Sequence, residues 1–178
     1  MPSPITINVK CDQYLVRFLE KLYGPSPIVF PVKSNFNMFL DVFLQIPSLD
    51  YHQQDFGENT LIIQLPYFEN KDVRSYFYLS EKAQEKFVEE IWKFFKITFR
   101  KEISKYIVLG LYRKDCIELF IDKYNLSLDC WDMLEKDYQR YIKLSWKKRL
   151  FRKNINSSVK DPVCPVHGTQ GNVMEPVV

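Results

Sequence analysis

Glycine is scarce in this chain, with five in 178 residues, and histidine scarcer, with two. So little glycine leaves almost no supply for the loops that cradle phosphates or dinucleotides, and no GxGxxG, P-loop or GxSxG pattern occurs. Neither His52 nor His167 sits in a recognisable catalytic pattern. The four cysteines, Cys11, Cys116, Cys130 and Cys164, are far apart and form no CxxC, so buried thiols are expected rather than a disulfide framework or a zinc ribbon. Cys164 and His167 have the look of half a metal site, but zinc takes four ligands, usually as two pairs, and no second pair exists. We expect no metal and no cofactor. No apolar run approaches the roughly 20 residues of a membrane helix; the richest, 36–46, is interrupted by Asn37 and Asp41. Met1-Pro2-Ser3-Pro4 lacks the basic and apolar regions of a signal peptide. A soluble, cytoplasmic protein without a membrane partner is the expectation.

What is abundant is aromatic. Fourteen Phe, eleven Tyr and three Trp make up 16% of the residues, and hydrophobic residues total 46%. That is ample apolar surface to offset the entropy of ordering a chain of this length around one core.

Periodicity predicts the elements. Ile5 to Val9 alternates as a half-buried strand, and 60–65 reads as a second, closed by Pro66. The short run 28–32 contains Pro31 and would be an edge strand at most. Leu15, Phe18, Leu19 and Leu22 share one face of a helix at 12–23, which Asp12 can cap and Gly24 ends. Ser34 can cap a helix at 35–46 with Phe36, Phe39, Leu40, Phe43 and Leu44 inward, stopped by Pro47. Residues 48–59 read as a loop. Ser80 opens the longest helix, to about 105, whose stripe of Phe87, Ile91, Phe94, Phe95, Phe99 and Ile103 reads as core. Glu81 and Glu85 near its start and Arg100, Lys101 and Lys105 near its end suit the helix dipole.

After Gly110 the pattern is helix, turn, helix. A helix at 114–124 turns Ile117, Phe120 and Ile121 inward, Asn125 to Leu128 form a turn, and Asp129 is a plausible cap for a helix at 130–152 contacting the core through Trp131, Leu134, Tyr138, Tyr141 and Trp146. The fold class expected is α+β, a small sheet with packed helices followed by a helical hairpin. The divisions expected are an α+β part at 1–110, the basic helical region at 111–156 and a flexible tail at 157–178, where Pro and Gly punctuate a segment without periodicity. The whole forms one cooperative unit or two closely packed subdomains with a seam near Gly110.

Charge is segregated. The chain carries +3 in all, yet residues 1–135 hold 16 basic and 19 acidic side chains, and residues 136–153 hold eight basic and one acidic, Asp137. Lys136, Arg140, Lys143 and Lys147 recur at spacings of four, three and four, which places them on one side of a helix. Gln139 lies beside them and its amide matches the hydrogen-bonding edge of adenine. Lys148, Arg149, Arg152 and Lys153 extend the run. Cations in this density neutralise phosphates and release counterions.

On Phe120, Tyr124, the Leu126–Leu128 turn, Leu134 and the basic run after Tyr138, residues 114–153 resemble helix-turn-helix DNA-binding domains. Tyr124-Asn125 stands where that family usually has a small residue, and the second helix is longer than a typical recognition helix. The resemblance implies a second helix that enters the major groove, with Lys136, Gln139, Arg140, Lys143 and Lys147 toward the groove and Lys148, Arg149, Arg152 and Lys153 on phosphate. The function expected is that of a non-enzymatic DNA-binding protein, a regulator or an accessory protein of a mobile element, with duplex DNA as partner and no catalytic residues. The competing readings are a helical hairpin with a solvated basic face, a protein-interaction or structural module that dimerises through aromatic-rich helices, and a nucleic-acid-processing enzyme built from scattered acids. A further stretch, 71–78, mixes Lys71 and Arg74 with Tyr76, Phe77 and Tyr78. Such a mixture can stack single-stranded bases, though core packing is the simpler account.

Overall fold

A computed structural model describes the backbone of residues 4–158 and the side chains of residues 4–144. Its elements run β1 (Thr6–Lys10), α1 (Gln13–Tyr23), α2 (Asn35–Phe43), β2 (Thr60–Gln64), α3 (Glu81–Val108), α4 (Arg113–Tyr124) and α5 (Trp131–Ser158). The class is α+β. The chain divides within α5 into two compact units, one up to Tyr141 and one from Ile142.

The alternating strands pair antiparallel, with Ile7 opposite Ile63 and Val9 opposite Leu61. Their shared face buries these four side chains against the helices. The edge strand expected at 28–32 shrinks to one parallel bridge, Ile28 with Ile63, because Pro31 lacks the donor needed to extend it and the chain turns there, with the Ser34 amide donating to the Pro31 carbonyl.

Helix α1 begins behind Asp12, but the aspartate side chain makes no capping bond; its backbone carbonyl accepts from Leu15 and Val16 instead. Gly24 ends the helix at φ 105°, a region that costs a Cβ-bearing residue strain. Ser34 caps α2 as expected, its hydroxyl accepting from the Asn37 amide at 3.2 Å. Helix α2 stops at Phe43, short of Pro47, because Leu44 is extended and Gln45 exchanges backbone hydrogen bonds with Tyr78. The carbonyls left open there receive the Lys71 amine, which donates to Asp41, Val42 and Leu44.

Helix α3 is the spine. Ala83, Phe87, Ile91, Phe95, Phe99 and Ile103 are buried along it, and the aromatic excess of the sequence is spent around them. Phe36 and Phe39 of α2 meet Phe87, and Phe18 of α1 meets Phe95 edge-on at 5.0 Å. Phe120 of α4 meets both Phe95 and Phe99. Among the described residues, Tyr67 and Tyr112 are the exposed aromatics. One buried cluster contains residues from both sides of Gly110.

Between α4 and α5, Asn125 adopts the left-handed conformation at φ 52°. The cap expected of Asp129 falls to Ser127. Its hydroxyl accepts from the Asp129 amide at 3.4 Å and opens a single tight turn, Leu128–Cys130, that leads into α5.

Candidate nucleic-acid interface

Helix α5 is attached to the core by its apolar side. Cys130 and Leu134 are buried, and Trp131, Met133 and Tyr138 are packed against the cluster. Tyr141, the next inward position, shares a hydrogen bond of 2.9 Å with the Ser104 hydroxyl of α3. Four residues earlier on both helices, Asp137 accepts two hydrogen bonds from the Arg100 guanidinium, at 2.9 and 2.6 Å. The equal steps mean that α3 and α5 run in the same direction along this contact. On the other flank, Arg113 at the start of α4 pairs with Glu135 at 3.0 Å.

These contacts sort the charges of α5. Asp137 retains 8% of its side-chain surface and Glu135 29%. Lys136, Gln139 and Arg140, interleaved with them in sequence, are exposed. Helical geometry explains the separation: 136, 139 and 140 lie on the side opposite Leu134, Asp137 and Tyr141. No ion pair among the described residues involves Lys136 or Arg140. Gln139 has one long contact, 3.4 Å, to Glu135. The hydrogen bonds that the Arg100 guanidinium donates to Asp137 raise its pKa above the ordinary arginine value.

Lys143 is also exposed and falls in the second unit. Lys147, Lys148, Arg149, Arg152 and Lys153 lie along the helical backbone of α5, but their side chains lie outside the described residues, as does that of Trp146. The tail expected at 157–178 falls outside the described residues from 159 onward, with Cys164 and His167.

Other candidate sites resolve into packing. Tyr76, Phe77 and Tyr78 are half-buried, and Tyr51 packs edge-on against Tyr78 at 4.8 Å. With Lys71 turned to the end of α2, the 71–78 stretch has the character of a strapped loop rather than a stacking platform. Cys11, Cys116 and Cys130 are free and buried. Burial pushes the Cys11 thiol up to about 12 and the Cys130 thiol to about 11, which suits inert thiols and not nucleophiles. Among the described residues no three His, Cys, Asp or Glu side chains gather to hold a metal ion, and no helix is long and apolar enough to cross a membrane. An open hollow of about 700 Å³ lies between α2 and α3, lined by Phe36, Met38, Phe39, Val42, Phe94 and Ile97.

Lys136, Gln139, Arg140 and the lone acid Asp137 are legible in the sequence, but the arginine partners of Asp137 and Glu135 are not. The distance along the chain is the reason: Arg100 and Asp137 are 37 residues apart, and nothing local pairs them.

Comparison of the chain with protein-family models, with curated proteins and with solved structures finds no match.

Proposed function

We propose that the protein is a non-enzymatic nucleic-acid-binding protein that presents the exposed face of α5 to duplex DNA, in the manner of a regulator or accessory factor. One observation carries the reading. Asp137 and the neighbouring Glu135 are drawn inward to arginines of neighbouring helices, so Lys136, Gln139 and Arg140 stand exposed together on the outward face, one turn beyond the exposed Asp132. A surface sorted in this way attracts a polyanion more strongly than the net charge of the run suggests. Gln139 supplies the one neutral group suited to a base edge, and it stands between cations that suit phosphate. Helices α4 and α5 then serve as the helix-turn-helix-like pair, and the basic residues expected from the sequence beyond Tyr141, from Lys143 to Lys153, add positive charge to the same chain.

The test is a fluorescence-anisotropy titration of the full chain with a mixed-sequence duplex at two salt concentrations. The expected result is binding whose logarithm falls linearly with log salt, at about 0.9 per phosphate neutralised. Replacing Arg140 and Lys143 together by Ala should weaken binding and reduce that slope by about two. Binding unchanged in this variant would remove α5 from the interface, and no binding of the native chain at low salt would remove the function.

A second reading has an observation of its own. Met38, Val42 and Ile97 are 61%, 70% and 63% exposed along the hollow between α2 and α3, which is unusual for large apolar side chains lying together. This surface suits a protein partner or a homodimer; its most exposed side chains are not aromatic, and the rings of Phe36, Phe39 and Phe94 line the hollow beneath them. Light scattering across a concentration series distinguishes a dimer from a monomer.

A further inference from the structure

The basic run of α5 contains a single acid, Asp137, placed among the residues proposed to meet DNA. A carboxylate there would repel phosphate, and its burial against Arg100 gives it a different use. We propose that Asp137 and Arg100 are positioning residues for the nucleic-acid face: the pair fixes the rotation of α5 about its own axis, so that Lys136, Gln139 and Arg140 point outward together. This inference rests on the nucleic-acid reading and adds the device that orients its site.

Three observations support it. The pair is bidentate, through Nε and a terminal guanidinium nitrogen to the two carboxylate oxygens, a geometry that restricts rotation more than a single bond does. One helical turn later the Ser104–Tyr141 hydrogen bond repeats the attachment of α5 to the same helix, so the two contacts define a line along α3 rather than a point. On the opposite flank Arg113 and Glu135 attach α5 to α4. The two inward acids thus hold the helix from both sides, and a rotation of one residue step, about 100°, would break all three contacts. It would also turn the shared face of Lys136, Gln139 and Arg140 away from its outward direction. The ring of Tyr141 lies 5.8 Å beneath the Arg100 guanidinium and supports it from below.

The charge-only and positioning accounts predict opposite signs for one substitution. Asp137→Asn removes a negative charge from the basic run. If charge alone mattered, binding to a duplex would tighten. If Asp137 positions the helix, binding weakens, by about tenfold, although the variant is more basic. Anisotropy titrations of the full chain with the same mixed-sequence duplex decide between them, with far-UV circular dichroism confirming that each variant is folded at the assay temperature. The exchanged pair, Arg100→Asp with Asp137→Arg, should recover most of the lost affinity. Arg100→Gln should weaken binding without lowering the salt slope, since Arg100 is turned to Asp137 and not to phosphate. Tyr141→Phe, which deletes only the hydroxyl bond, serves where the charged variants do not fold and should weaken binding about threefold. Tighter binding by Asp137→Asn, a slope reduced by about one in Arg100→Gln, or unaltered affinity in Tyr141→Phe would each overturn the positioning role while leaving the DNA reading intact. A native chain that binds no duplex at low salt would end both.

Discussion

Glu102 is 8% exposed yet charged, and its surroundings account for that. The amines of Lys123 and Lys105 each donate to one of its oxygens at 2.9 Å. They hold the carboxyl below the usual glutamate range, and the same contact raises Lys123 above its own. The sign of the linkage follows. A carboxyl whose pKa is depressed by folding contributes stability that is present above the ordinary glutamate pKa and lost as pH falls through the depressed value. Glu102→Gln is therefore expected to destabilise the protein near neutrality by about 1–2 kcal/mol, a modest figure because both lysines are half in solvent. The difference from the native chain should shrink as urea titrations are repeated at pH values below the ordinary glutamate range. At this scale the sequence is least legible. Glu102 stands among Arg100, Lys101 and Lys105 in a stretch that reads as a solvated helix end, and its main partner lies 21 residues away on the next helix. Lys71 behaves alike: a surface cation in sequence, and in the fold the donor that closes a helix some 30 residues distant.

Elements are more legible, because their cause is local. The alternation in 5–9 and 60–65 and the apolar spacing in α1 and α3 place those elements within a few residues of where they stand. The errors fall at ends, and each end is decided by a neighbour that periodicity does not contain. Helix α2 stops early because Gln45 pairs with Tyr78, and the strand at 28–32 fails for want of a donor at Pro31. The turn before α5 uses Ser127 rather than Asp129 because the chain first completes one tighter turn. Its other end is set by Asn125, whose left-handed backbone lets the Leu126 amide reach the Ile121 carbonyl at 3.0 Å and close α4. Asparagine tolerates this region, glycine prefers it and alanine does not. Asn125→Gly should leave the melting temperature nearly unchanged, whereas Asn125→Ala should cost about 1 kcal/mol. Equal effects of the two would mean that the side chain of Asn125, and not its backbone, sets the turn. The candidate site shares this mixed legibility. The spacing of Lys136, Gln139 and Arg140 was visible, as was their common face. The reason that face points outward lies in α3 and α4.

At the scale of the molecule up to Tyr141, aromatic composition and charge segregation describe one design. The rings occupy the centre, where α1, α2 and α4 each meet α3 through phenylalanine, and the inward acids of α5 attach the charged helix at the margin. Phe120 is the joint between the two. Its ring contacts Phe95, Phe99 and Tyr124, and Tyr124 in turn contacts Phe18 of α1. Phe120 is fully buried, so truncation to Ala leaves a cavity bounded by stiff rings that cannot collapse into it. The expected cost is about 3–5 kcal/mol, a large part of the roughly 5–15 kcal/mol available to a domain. The cluster it joins contains residues on both sides of Gly110, so the loss should be felt throughout and not in α4 alone. Urea unfolding of Phe120→Ala followed by far-UV circular dichroism and by tryptophan fluorescence should give a single transition at the same lowered midpoint. Two separated midpoints would instead locate a boundary near Gly110 and divide the chain into subdomains that the rings merely bring into contact.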